Sequence, residues 1–228
     1  MIFDCDSTLS TIEGIDELAA GHREAIAPLT EAAMRGDVPL EAVYGQRLAI
    51  IRPTRAALDA VGALYVDRLV PGASETVRAL QDAGVEVRIV SGGLRPAVLH
   101  VSRALGVKES HVFAVDVFFD AAGRYDGYDE SSPLARKGGK RTLIETWRDL
   151  ARPAMIVGDG ATDLEARPAV DCFVAFAGIV ERPAVVVAAD VVVRDVSLLP
   201  VLRLVLNADS AAASNAPPWD QPDRAPRV

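Results

Sequence analysis

Met1-Ile2-Phe3-Asp4-Cys5-Asp6-Ser7-Thr8 is the stretch on which the reading of this chain turns. Two apolar residues lead into carboxylates spaced i and i+2, and a hydroxyl follows two positions on. Ile2 and Phe3 predict the end of a buried strand. Both acids then emerge at the carboxyl edge of a parallel sheet, where open α/β sheets bind ligands. Two acids this close repel, and they need a cation or a shared proton. Mg²⁺, which takes carboxylate and carbonyl oxygens and keeps several waters, meets that need. Asp-x-Asp after a strand also serves as a plain turn, so the partners of this stretch must decide.

Three later stretches supply partners. Ser91-Gly92-Gly93 follows the apolar run 85–90 and precedes a helix. A hydroxyl and glycine amides there suit phosphate oxygens, although a tight strand-to-helix turn has the same composition. It is not a serine-hydrolase elbow, because Ile89 stands where the first glycine belongs. Gly138-Gly139-Lys140 puts a lysine at a helix start, the wrong end of the dipole, which an anion in contact with it explains. Arg136 and Lys137 are alternative cations. Leu134 at the first-glycine position and Arg141 after the lysine exclude a P-loop. Gly158-Asp159-Gly160-Ala161-Thr162-Asp163 follows the strand-like Met155-Ile156-Val157. Asp163 in place of a third glycine excludes the dinucleotide fingerprint. Its two acids can instead complete an oxygen-ligand metal site with Asp4.

The intervening sequence sets the fold class. Helical spacing over residues 12–20, a stop at Gly36, a helix 40–51 opened by Pro39 and another over 54–69 predict a strand-free helical insertion. After Pro71-Gly72 the pattern alternates. Helices are expected over 74–83, 96–105, 138–150 and 198–206. Strands are expected over 85–90, 154–157, 172–176 and 191–193, with a hairpin from 111–119 and 125–128 around Gly123. This is an α/β protein with a mostly parallel sheet covered on both faces. From Asn207 on, Ala, Ser, Pro and charge replace apolar periodicity, which predicts a disordered tail over 207–228.

Composition narrows the function. The 228 residues are 50% hydrophobic and 25% charged, with a net charge of −8 that argues against nucleic acid or an anionic membrane as the main partner. Cys5 and Cys172 form no Cys-x-x-Cys pair, so neither a zinc site nor a disulfide framework is expected. His22, His100 and His111 lack metal-ligand spacing. The apolar stretch 184–193 is too short to span a bilayer and is broken by Asp190. With no leader segment in view, a cytoplasmic location is expected.

Taken in order, Asp4-x-Asp6-x-Thr8, Ser91, Lys140 and Gly158-Asp159-Gly160-Ala161-Thr162-Asp163 resemble the four motifs of the haloacid-dehalogenase superfamily of phosphatases. Within it, FDCDSTLSTIEGIDELA (3–19), QRLAIIRP (46–53), residues 90–93 and GDGATDLEA (158–166) are similar to the phosphoserine phosphatases. The resemblance covers residues 1–206. It implies a Rossmann-like core of residues 1–11 and 70–206, with a helical cap, 12–69, inserted after the first strand. It also implies a Mg²⁺-dependent phosphatase of L-serine biosynthesis that hydrolyses O-phospho-L-serine through an aspartyl-phosphate.

In that scheme Asp4 is the nucleophile and Asp6 the general acid and base. Mg²⁺ is held by the side chains of Asp4 and Asp159 and the backbone carbonyl of Asp6. Ser91, Gly92 and Lys140, the last also counted among the catalytic residues, bind phosphate oxygens, Thr162 binds substrate as well, and Asp163 orients the metal's waters or Lys140. Glu13 receives the substrate ammonium and Arg47 its carboxylate, with Met34 and Leu40 on the cap's apolar wall. The implied partner is a small phosphoester, and both monomer and homodimer are open. A phosphotransferase to an amino-acid hydroxyl and a phosphatase for another small phosphomonoester share the same acids. A non-catalytic phosphate sensor is disfavoured by the intact acids at 4, 6, 159 and 163.

Overall fold

The computed structural model describes residues 1–34 and 40–211, with backbone alone for 30–34, 40–41 and 206–211. Strand β1 (Ile2–Phe3) leads into a stretch whose elements, among the described residues, are all helical: α1 (Gly14–Leu18), a 3-10 turn (Ala20–His22), α2 (Arg23–Met34), α3 (Leu40–Ile51), α4 (Arg55–Asp67) and α5 (Ala73–Asp82). Then come β2 (Arg88–Leu94), α6 (Arg95–Ala104), β3 (Val112–Val115), a hairpin of β4 (Val117–Phe119) and β5 (Tyr125–Tyr128), and α7 (Gly139–Glu145). The remainder is β6 (Met155–Gly158), α8 (Ala161–Glu165), β7 (Cys172–Phe176), α9 (Pro183–Ala188), β8 (Val191–Val193) and α10 (Leu199–Ala211).

Six parallel strands form one sheet in the order β3-β2-β1-β6-β7-β8. Side chains alternate across it with the period of a strand. Phe3, Ile89, Val157 and Val174 face a core shared with α5, α6 and α10, whereas Ile2, Val90, Ile156 and Phe173 face α7 and α9. Both faces are therefore covered, which is why the strands read as continuous apolar runs. β1 has two residues, but it is inserted between β2 and β6, and its ladder continues where Asp4 N–H donates to Val157 C=O at 2.9 Å. Successive strands are added outward from β1 in both directions. The switch point, where ligands bind in such sheets, is thus at the carboxyl end of β1.

The chain leaves and re-enters the sheet layer at one place, where Ser10 bridges Leu69 antiparallel. Within the helical stretch, α4 lies along α6, and its Leu58, Val61 and Tyr65 join the main core. Ala19, Ile26 and Ile51 form a separate small cluster.

Several element bounds differ from those expected. The 12–20 helix is the shorter α1 followed by a 3-10 turn, and the 54–69 helix is α4, capped by Thr54, whose hydroxyl accepts from Ala57 N–H at 3.1 Å. β2 starts three residues later than the apolar run and continues through Ser91-Gly92-Gly93, because pairing to β1 begins at Arg88 and pairing to β3 reaches Leu94. Residues 111–119 are two strands: β3 joins the main sheet, and only β4 enters the hairpin, with exposed Asp116 between them. The 138–150 helix stops at Glu145, where Thr146 Oγ1 donates back to the Leu143 carbonyl at 2.6 Å. That stop lets Trp147 pack against Phe113, with ring centroids 4.7 Å apart, and lie under the Arg88 guanidinium. α10 runs to Ala211, past Asn207 where the tail was expected to begin. The Gly36 stop, Pro39 and residues 212–228 lie outside the described residues, as do the side chains of Met34 and Leu40.

Candidate active site

Three strand ends converge at the switch point. Asp4 and Asp6 follow β1, Gly92 and Gly93 lie in β2, and Asp159, Gly160 and Thr162 follow β6. Together with Glu13, Ile15, Asp16, Arg47, Lys140 and Arg182 they line a cavity of about 240 Å³. Five of these side chains are acids and three are cations, so the lining is short of positive charge.

Asp4 is buried, with Oδ1 accepting from Cys5 N–H at 2.7 Å and Oδ2 lying 2.8 Å from Lys140 Nζ. Lys140 also reaches Asp163 Oδ1 at 2.7 Å. The anion that explains a lysine at a helix start is therefore a pair of carboxylates. Gly138 takes φ +69°, and a Cβ on Gly139 would meet the Pro133 carbonyl oxygen at 1.8 Å, so both glycines are needed to bring Lys140 in. Burial works against its charge, yet Asp163 and Asp4 outweigh burial and hold the ammonium above its ordinary value. Arg136, an alternative cation, donates to the Glu130 carbonyl at 2.6 Å and does not line this cavity.

Asp6 sits in a different environment two residues away. Its Oδ1 accepts from Gly14 N–H at 2.7 Å and from the Tyr65 hydroxyl, and Ser91 Oγ stands 3.4 Å from Oδ2. Burial and the adjacent Asp4 charge push its carboxyl up to about 6, against the pull of those donors. Ser7, which follows Asp6, is held at φ +50°, a region a non-glycine residue rarely occupies, and its hydroxyl donates to Glu13 at 2.7 Å. Burial also raises Glu13, to about 7.

Asp4, Asp159 and Asp163 bring carboxylate oxygens within 4.8 Å of one another. An all-oxygen donor set with excess negative charge fits a hard divalent cation. Burial and Asp4 raise Asp159 and Asp163 alike, while Arg182 pulls on the first and Lys140 on the second. Asp163 is fully buried, and it accepts from Gly160 N–H at 3.0 Å as well as from Lys140. Gly158 makes room for it, since a Cβ there would stand 2.1 Å from the Asp163 carboxyl carbon. Gly158→Ala is therefore expected to destabilise the protein by about 1–3 kcal/mol, the range of an overpacked core, as read by urea denaturation.

Of the residues singled out from the sequence, Asp4, Asp6, Glu13, Arg47, Gly92, Lys140, Asp159 and Thr162 line the cavity. Ser91 and Asp163 lie buried just beneath it. Arg47 is tied to Asp16 by an ion pair. Five contributors were not anticipated: Ile15, Asp16, Tyr65, Arg182 and Tyr44, whose hydroxyl donates to the Gly92 carbonyl at 2.9 Å. Arg182 follows β7 at the same sheet edge, and that strand-end position was the one signal available.

The sequence profile of the haloacid dehalogenase-like hydrolases matches residues 1–171. The chain belongs to this family. Among curated relatives, phosphoserine phosphatase of Bos taurus is 42% identical over 184 residues, covering 79% of this chain and 82% of that protein. The Homo sapiens phosphoserine phosphatase is 41% identical over the same length and the same shares. A solved structure described as the phospho-aspartyl intermediate analogue of phosphoserine phosphatase superposes with a TM-score of 0.70 at 26% identity, covering 89% of this chain and 96% of that one. The family and these relatives put the chain among the phosphoric monoester hydrolases. Its six-stranded parallel sheet is the Rossmann-like sheet of the haloacid dehalogenase-like fold. No helix among the described residues is long and apolar enough to cross a membrane.

Proposed function

We propose that this chain is a Mg²⁺-dependent phosphatase that hydrolyses O-phospho-L-serine to L-serine and phosphate through an aspartyl-phosphate. The observation that carries the reading is the distribution of charge in one small cavity. A buried carboxylate paired to a buried lysine shares its lining with an acid, Glu13, and an arginine, Arg47, from the helical stretch.

In this reading Asp4 attacks phosphorus in line with the serine oxygen. Asp6 protonates the departing alkoxide and then takes a proton from the water that releases phosphate from Asp4. A carboxyl raised to about 6 suits a group that must both give and take a proton near neutrality. Tyr65 and Gly14 hold it in place for both transfers. Lys140 and the Ser91–Gly92 segment receive the phosphoryl oxygens, with Thr162 beside them. The side chains of Asp4 and Asp159 and the Asp6 carbonyl would hold Mg²⁺, with Asp163 keeping Lys140 in position. When bound, that cation neutralises charge developing on the phosphoryl group.

Glu13 would take the substrate ammonium and Arg47 its carboxylate, in exchange for Asp16. Residues 12–69 would act as a cap that excludes water from the attack on phosphorus. α4, packed on α6, and α1, packed on α4 and β2, are the fixed side of that cap, so motion would fall to α2 and α3. The partner proposed is a small phosphoester, and the setting proposed is the cytoplasm.

The test is a panel of small phosphoesters assayed for phosphate release with and without a chelator. O-Phospho-L-serine is expected to be turned over fastest, and chelation to reduce its rate by at least about 100-fold, with recovery on adding Mg²⁺. Preference for an ester lacking either the ammonium or the carboxylate would reject the roles of Glu13 and Arg47. Transfer of phosphate to an added amino-acid hydroxyl, seen by product analysis, would make the chain a phosphotransferase.

A further inference from the structure

Arg182 stands in the cavity with no part in the chemistry above. Its Nε lies 3.0 Å from Asp159 Oδ2, and its Nη2 lies 3.7 Å from Glu13 Oε1. One planar guanidinium thus faces both the acid proposed to hold the metal and the acid proposed to take the substrate ammonium. The two sides of the contact differ in freedom. The Asp159 side chain is 4% exposed and fixed at the end of β6, whereas the Arg182 side chain is 45% exposed and can withdraw to solvent. A positive charge this close to Asp159 opposes a second one for as long as the guanidinium stays beside it.

We infer that Arg182 is an internal competitor that a divalent cation must displace from Asp159 and a substrate ammonium must displace from Glu13. The Glu13 half rests on the phosphoserine reading, and the Asp159 half needs only a cation. Because one side chain holds both acids, its release by either ligand favours the other. Metal and substrate binding are then positively coupled through it, and the coupling is reciprocal. Arg182 is in this sense a positioning residue that sets affinity without touching the reacting atoms.

The experiment is a Mn²⁺ titration of the full chain, followed by the signal of free Mn²⁺ in electron paramagnetic resonance, with and without L-serine. Arg182→Gln is expected to bind Mn²⁺ about two- to fivefold more tightly than wild type, the scale of a half-exposed ion pair. Arg182→Ala serves as a second neutral variant with the same expectation. Arg182→Lys, which keeps the charge, should stay near wild type. L-Serine should tighten Mn²⁺ binding in wild type and lose that effect in both neutral variants. Unchanged or weaker Mn²⁺ binding by neutral variants with wild-type melting temperatures would overturn the inference. The Mn²⁺ arm without L-serine is independent of what the enzyme hydrolyses. An absent L-serine effect in wild type would overturn the coupling alone.

Discussion

Asp4→Asn is expected to lower the rate of phosphate release from O-phospho-L-serine by about 10⁴-fold or more, the scale on which enzymes lose activity with their nucleophile. Such a drop is about 5.5 kcal/mol of barrier, more than any one hydrogen bond in the cavity supplies. The amide is nearly isosteric and still accepts from Cys5 N–H, so the fold and the cavity should persist. What it cannot do is attack phosphorus as an anion. Steady-state kinetics with circular dichroism as a folding control is the measurement. Turnover within tenfold of wild type would remove Asp4 from the role proposed for it.

Lys140→Met is the second large effect, and it should appear in two readouts. The ammonium is buried between Asp4 and Asp163, so its loss leaves two carboxylates facing each other without a cation. Breaking a buried pair by removing one partner costs about 3–5 kcal/mol, which urea denaturation in chelator would show as a lower midpoint. Adding Mg²⁺ should recover part of that loss, since a cation on Asp4 replaces some of the missing charge. Activity should fall by about 100- to 1,000-fold even with Mg²⁺ present, as when a preorganised donor to a reacting oxygen is removed. A variant as stable and as active as wild type would show that the lysine is not part of the site.

The acids at 4, 6, 159 and 163 were legible because each lies within a few residues of a strand end, and Lys140 because it stands at the start of α7 behind two glycines. Local spacing there carries the three-dimensional information. Tyr65 was not, because it continues the apolar face of α4 through Leu58, Val61 and Gly62. On that face it reads as core, and it is core except for its hydroxyl on Asp6. Tyr44, Asp16 and Arg182 depend on how helices are laid over the sheet, which no periodicity encodes. The sheet itself followed from apolar runs, but its edges did not. Gly92 and Gly93 carry no strand propensity, yet the β2 ladder extends past them because β3 offers a partner as far as Val115. The split between β3 and β4 likewise reflects which neighbour each half finds, one in the main sheet and one in the hairpin.

The most direct test of the central claim, that Asp4 carries the phosphoryl group, is to trap the acyl phosphate chemically. Enzyme turning over O-phospho-L-serine with Mg²⁺ would be quenched in acid and reduced with borohydride, then digested and sequenced by mass spectrometry. Reduction of an aspartyl-phosphate yields homoserine, and homoserine is expected at position 4 in a substrate-dependent amount. Aspartate unchanged at position 4, with homoserine at another position or with none formed while phosphate is still released, would contradict the account.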